Sequence, residues 1–438
     1  MQTVIQVGEQ MAGNVKTVEA PKERSVQSNE LAADVERIVA ETAVFDVHTH
    51  QYPPSFKTLF SAGIDDLVTY HYLVAELFRS SDISTDSFWA MTKPQQADLI
   101  WETLFVSKTP LSEACRGVIC VMNAYGLDPY ARSLKEAREF FSAIEPVDHV
   151  DKAMQLAGVT DMVMTNDVFD SKEVEYWESN AERHPKLRAA LRMDALLNRW
   201  EDAHGLLRSH GHTASATLDA ASIRSARRFL DAWIERMKPV YMAVSLPPAF
   251  RYPEDSPRGR LIKEVVLPVG REHKLPFSMM MGARKAVNPA LKDAGDSVAY
   301  ADTQSVERIC LENPENRFLV SMLSRENQHE LCVAARKFAN LMPFGCWWFL
   351  NNPSIVREIT DERIEMLGTS FIPQHSDARI LDQIIYKWKH SRHTIAASLT
   401  DSYAALARDG WQATTDQIQR DVKRLFQENF RNFASVRG

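Results

Sequence analysis

Short apolar segments rich in β-branched residues recur between helix-length stretches. This alternation predicts an α/β chain whose parallel strands close into a (β/α)8 barrel. Two further observations agree with that fold class. His50, Asn166, Arg192, Arg284 and Asp377 end apolar segments, at the positions where such barrels place their chemistry. At 438 residues the chain also exceeds a bare eight-stranded barrel, which leaves room for insertions.

Taken in order, residues 1–29 are polar, lack sustained periodicity and read as a flexible extension that reaches over a neighbouring subunit. Ser28, Asn29 and Glu30 then cap a helix over 31–39. The run Val44-Phe45-Asp46-Val47-His48-Thr49-His50 is the first strand. Residues 52–150 carry mainly helical patterns, with apolar faces at 99–105 and 137–141, and are expected to form a helical insertion covering the barrel mouth. The further strands are expected near 161–164, 187–191, 240–244, 276–280, 318–322, 344–348 and 365–369, inside one barrel domain over 30–438.

Composition narrows the function. Hydrophobic residues at 45% and charged residues at 25% suit a globular enzyme, and a net charge of -7 argues against a nucleic-acid binder. An anionic substrate must then be held by a local arginine cluster. Cys115, Cys120, Cys310, Cys332 and Cys346 are scattered without a Cys-x-x-Cys pair, as in reduced thiols of the cytoplasm. No apolar run has the length of a signal core or a membrane span, so a cytoplasmic protein with no membrane partner is expected.

Side chains alternate along a strand, so His48 and His50 share a face and can close on one divalent cation. A bare His-x-His is as often a core or solvated pair; a partner decides. Asp377 follows the apolar run 366–372, and after the last strand of a closed barrel it would stand beside the first. Its bland alternative is the N-cap of the helix starting near Ile380. The group His204, His210 and His212 lies in a polar connection without apolar support and is not read as a metal site.

These residues resemble the uronate isomerases of the amidohydrolase superfamily. Further ordered islands from about residue 40 to the C-terminus carry the resemblance. Tyr70-His71-Tyr72-Leu73 resembles that family's His-Tyr pair at the start of a helix, and Leu191-Arg192-Met193-Asp194 its Arg-x-Asp strand end. Thr165-Asn166-Asp167 is similar to its Thr-rich strand exit, and Phe344-Gly345-Cys346-Trp347-Trp348-Phe349 to its Gly-x-Trp-Trp-Phe element. Asp377-Ala378-Arg379 resembles its Asp-Ser-Arg, followed by a basic aromatic helix with Trp388 and Arg392.

The resemblance implies a TIM barrel and an aldose–ketose isomerase acting on a small anionic sugar, D-glucuronate/D-fructuronate or D-galacturonate/D-tagaturonate, in a homo-oligomer. It implies one divalent metal, zinc with manganese as the alternative, on His48, His50 and Asp377. Asp377, Arg379, Tyr72 and His71 would be catalytic, with Tyr72 tuned by Arg379. Arg192, Trp347, Trp348, Trp388 and Arg392 would bind substrate. Two departures stand out: the fifth strand has Met279, Met280 and Met281 where the family offers a histidine, and Gln374-His375-Ser376 precedes Asp377. A thioether is a poor ligand for a hard or borderline cation. The alternative function is a metal-dependent hydrolase or decarboxylase on the same barrel, with the metal activating water or binding a small carboxylate.

Overall fold

The computed structural model describes residues 28–436; the extension expected over 1–29 therefore lies almost wholly outside the described residues. A helix Ser28–Glu41 leads into β1 (Val44–Thr49), and β2 (Val159–Asp167), β3 (Leu187–Arg192), β4 (Met242–Leu246) and β5 (Phe277–Met281) follow. A two-residue hairpin, β6 (Ala283–Arg284) with β7 (Ser297–Val298), precedes β8 (Phe318–Met322) and β9 (Leu341–Pro343). The main sheet has seven parallel strands in the order β1-β2-β3-β4-β5-β8-β9, alternating with helices. Parallel pairing requires a crossover between strands, which is why helical stretches separate them.

Buried apolar residues form two main layers. One cluster joins the helices to the sheet; the other, with Phe45, Val47, Tyr241, Met280, Leu319 and Phe344, fills the concave side. β1 is buried along its whole length, and its pairing with β2 is irregular between Asp46 and Thr49. That irregularity shifts the phase of the strand. Phe45 and Val47 point into the inner cluster, yet His48, one residue on, also reaches Tyr241 and Phe344 there.

Two expected strands need correction. Residues 365–369 are not a strand but the end of the helix Pro353–Leu367 and the turn after it. Asn352 caps this helix, Pro353 opens it, and Gly368 at φ +62° ends it, so Ile364, Met366 and Leu367 follow a helical period. The strand expected at 344–348 is ordered only at Leu341–Pro343, because Gly345 at φ +67° turns the chain out of the ladder.

The chain returns at Ile372. Its N–H donates to Pro343 O (3.1 Å) and its carbonyl accepts from Gly345 N (2.9 Å). A few residues later Asp377 N donates to His48 O (3.1 Å), and His50 N donates to Ala378 O (2.8 Å). The segment 372–378 therefore touches β9 on one side and β1 on the other.

Between β1 and β2 the described elements are all helical, from Pro54–Leu59 to Pro146–Ala157. The buried Asp382 carboxylate ties this region to the long helix Gln383–Arg408. It accepts from Gly63 N (2.7 Å) and the Tyr125 hydroxyl (2.8 Å), and it meets His149 Nε2 at 2.7 Å. The helix His71–Ser80 thereby presents its first turn to the C-terminal ends of the strands.

Candidate active site

His48, His50 and Asp377 come together at those strand ends. His48 Nε2 lies 3.5 Å and His50 Nε2 3.3 Å from Asp377 Oδ1. Hydrogen bonds fix which ring nitrogen of each histidine carries the proton. The Tyr241 hydroxyl donates to Val47 O (2.9 Å), so at 3.2 Å from His48 Nδ1 it can only accept. Thr165 Oγ1 donates to Thr49 O (3.0 Å), so it likewise accepts from His50 Nδ1 (2.9 Å). Both rings are therefore protonated at Nδ1 and turn a bare Nε2 lone pair toward Asp377.

Two atoms of this group, His48 Nε2 and Asp377 Oδ1, are buried without a hydrogen-bond partner. Burial pushes the His48 imidazole down to about 3 and His50 well below its ordinary value. Asp377 opposes the shift at His48; Arg379, Arg192 and Lys285 add to it at His50. Neutral imidazoles, a carboxylate and orphaned atoms facing one point suit a divalent cation. Among the described residues this is the one group of at least three ligating side chains so placed, and Met280 stands in the wall as a non-ligand.

Asp377 is not the N-cap of the following helix. It adopts φ +51°, an uncommon conformation for a residue with a Cβ, and its neighbours hold it there. Asp46 accepts from Ser376 N (3.0 Å) and from Trp388 Nε1 (2.8 Å), and Asn351 Nδ2 donates to Ser376 O (3.1 Å). Gln374 Oε1 accepts from Cys346 N (2.7 Å).

The cavity around this group is also lined by Tyr70, His71, Arg192, Asp194, Lys285, Trp347, Trp348 and Arg379. Arg192 Nε donates to Asp194 (2.5 Å), and that pairing holds the guanidinium above its ordinary value against the effect of burial. His71 Nε2 and Trp348 Nε1 are buried without partners, and burial with Arg379 nearby lowers His71 to about 3. Both tryptophans face the cavity.

Two other expected residues go elsewhere. Trp388 is buried, with its indole N–H on Asp46, so it braces the Asp377 loop instead of touching substrate. Arg392 is likewise not a substrate ligand. Its guanidinium donates to Val39 O, Thr42 O (2.7 Å) and Gly158 O (3.1 Å), at the N-terminal ends of β1 and β2 and thus at the far end of the sheet. Tyr72 donates to Trp348 O (3.2 Å), and burial with Tyr70, Asp377, Tyr386 and Glu113 raises its phenol well above the usual value. Arg379 acts instead on Tyr70 and lies 3.6 Å from Asp293.

The sequence reading missed Tyr70, Lys285 and His375. His375 is fully buried beneath His48, with ring centroids 5.0 Å apart and both nitrogens unpartnered. A Cβ at Gly345 would fall on its ring, which explains the glycine there. Its position two residues before Asp377 was the available signal.

The curled parallel sheet and the polar cup at its C-terminal strand ends define an α/β enzyme of the type that works at a strand-end metal or anion site. No family model matches the chain, and no curated protein does. Among solved structures, the uronate isomerase of Bacillus halodurans C-125 is 51% identical with a TM-score of 0.92, covering 94% of this chain and 97% of that one. The chain belongs to the uronate isomerase family. Two more distant structures share the fold alone. The glucuronate isomerase of Caulobacter crescentus is 14% identical (TM-score 0.75, covering 94% of this chain and 95% of that one). The uronate isomerase of Thermotoga maritima is 12% identical (TM-score 0.73, covering 94% and 100%).

Proposed function

We propose that this chain interconverts a uronic aldose and its ketose, D-glucuronate with D-fructuronate or D-galacturonate with D-tagaturonate, in a (β/α)8 barrel over 30–438. In this reading 372–378 is the eighth stave and the helices of 52–150 are an insertion over the mouth. The observation that carries the function is the single cup that joins His48, His50 and Asp377 to three cationic side chains, Arg192, Lys285 and Arg379.

The reaction opens the sugar ring, removes the C2 proton and returns a proton to C1 through an enediol. Asp377 takes the O1 proton of the hemiacetal and gives it to the ring oxygen. Tyr72, once ionised, carries the proton from C2 to C1 while the O2 hydroxyl proton moves to O1, and His71, neutral with Nε2 free, orients the hydroxyls. Arg192 holds the sugar carboxylate; its Nε is committed to Asp194, and its Nη groups have no protein acceptor among the described residues. Trp347 and Trp348 form the wall. His48, His50 and Asp377 would hold one divalent ion, zinc or manganese, which when bound supplies Lewis acidity toward a substrate oxygen.

The five cysteines are unpaired and buried, which supports the cytoplasmic reading, and no described helix is long and apolar enough to cross a membrane. Self-association belongs to the same proposal and is checked by molar mass from light scattering. The function is tested by incubating the metal-loaded protein with a panel of uronates and following products by proton NMR. Ketose formation from a uronate supports it. Hydrolysis or loss of carbon dioxide without ketose overturns it in favour of the hydrolase or decarboxylase reading.

A further inference from the structure

Lys387 belongs to a basic run, 387–393, that by pattern reads as a solvated helix face. The structure buries it: the residue is 2% exposed, and Nζ has no hydrogen-bond partner among the described residues. An amine withdrawn from water without an acceptor is costly, so a fold that keeps one invites a functional explanation.

Its surroundings supply one. Nζ lies 5.7 Å from the centroid of the Tyr72 ring and 5.6 Å from that of Tyr386. The anions acting on it are Glu113 on the helix Glu113–Ala124, Asp377 on the site loop and Asp46 on β1, and none bonds to it. Burial pushes the amine below its ordinary value, and these three carboxylates oppose the shift. Its charge also helps to lower His71 and His375. Arg379, the expected cation for Tyr72, is turned toward Tyr70 and Asp293. The cation that faces the Tyr72 ring is Lys387. A cation over an aromatic face stabilises its electron density, and stabilises a phenolate more than a phenol.

We propose that Lys387 is a positioning residue for the isomerisation, its ammonium set against the Tyr72 and Tyr386 rings to stabilise the phenolate that Tyr72 becomes on losing its proton to solvent, the form that accepts the C2 proton. This rests on Tyr72 as the proton carrier. The absence of a bonded counter-ion then has a reason, since a carboxylate on Nζ would cancel the field at the ring. The Tyr386 ring packs directly against Gly117, where a Cβ would collide with it.

The test is Lys387→Met, which keeps the length of the side chain and removes its charge. Turnover should fall about 10- to 100-fold with KM nearly unchanged. The acid limb of the kcat–pH profile should move upward, because Tyr72 becomes harder to deprotonate. The melting temperature should stay level or rise, since replacing a buried unpaired charge with an apolar group is often stabilising. A merely structural lysine gives the reverse, a lower melting temperature with an unchanged pH profile, and that result overturns the proposal. Should Lys387→Met not fold, Lys387→Gln is read for the same kcat–pH shift, with Lys387→Arg as the charge-retaining control.

Tyr72→Phe separates the two layers. Near-normal activity in Tyr72→Phe removes the reading beneath the proposal. Loss of activity in Tyr72→Phe, together with wild-type turnover and pH profile in Lys387→Met, overturns the role of Lys387 alone. If both hold, adding Lys387→Met to Tyr72→Phe produces no further loss.

Discussion

Tyr241→Phe removes one oxygen and, with it, the group that sets the His48 tautomer. The Tyr241 hydroxyl is fully buried, donates to Val47 O (2.9 Å) and accepts from His48 Nδ1 (3.2 Å). Phenylalanine fills the same space, so no cavity cost arises. What remains is a buried carbonyl and a buried ring N–H without partners, each worth about 1–3 kcal/mol, so a destabilisation of about 2–6 kcal/mol is expected. Without that acceptor His48 is free to protonate at Nε2 instead, the nitrogen that faces Asp377. Zinc affinity should therefore fall about 10- to 100-fold, the usual effect of losing the hydrogen-bond partner of a metal-binding histidine. Competition with a fluorescent chelator measures the affinity, and urea unfolding of the metal-free protein measures stability separately. Lost stability with unchanged zinc affinity would refute the tautomer argument, because both changes are traced to the same oxygen.

Four further outcomes are expected. Elemental analysis of purified protein should show about one zinc or manganese per chain; His48→Asn/His50→Asn should abolish it with the fold retained, and unchanged metal content would sink the site. Arg192→Met should weaken binding of uronates by about 2–4 kcal/mol while barely affecting the matching neutral sugars; equal effects on both would remove the carboxylate from this arginine. Arg392→Met should cost about 2–4 kcal/mol of stability, because three backbone carbonyls lose a charged donor, and leave turnover per folded molecule intact; a large rise in KM would restore it to the substrate site. Acid should destabilise the metal-free protein between pH 6.5 and about 3, because His48 and His71 are held near 3 when folded and the unfolded chain takes up their protons first. Each contributes stability above its unfolded value that drains at up to about 1.4 kcal/mol per pH unit. Asp46, raised to about 6 by burial, opposes part of the loss. His71→Gln should flatten the decline of melting temperature over that range, and parallel curves for the two proteins would exclude the buried neutral imidazole.

Much of the site is legible in the sequence, for reasons that can be stated residue by residue. His48 and His50 stand two apart on an apolar strand, and that spacing survives even the irregularity within β1. Asp377 is legible only through topology, since the end of the chain must return beside the first strand. The strand expected at 365–369 misleads because a short apolar run has no readable period, and the capping of Pro353–Leu367 by Asn352 and Gly368 is the cue that decides it. Trp388 and Arg392 fail for another reason. They lie on a helix of 26 residues that runs from the mouth toward the far end of the sheet, so nearness to Asp377 in sequence becomes distance in space. The burial of Lys387 is set by packing against segments remote in sequence and leaves no local trace.

The most direct measurement follows the C2 proton itself. Wild-type and Tyr72→Phe proteins, each loaded with zinc, are given D-glucuronate and D-galacturonate in deuterated water, and proton NMR records the C2 signal and the ketose signals together. An isomerase acting through Tyr72 shows the C2 signal of one uronate disappearing in step with ketose formation in the wild type, slowed by about two or more orders of magnitude in Tyr72→Phe at equal melting temperature. A C2 signal that persists while the uronate is consumed, or exchange that Tyr72→Phe leaves untouched, would contradict it.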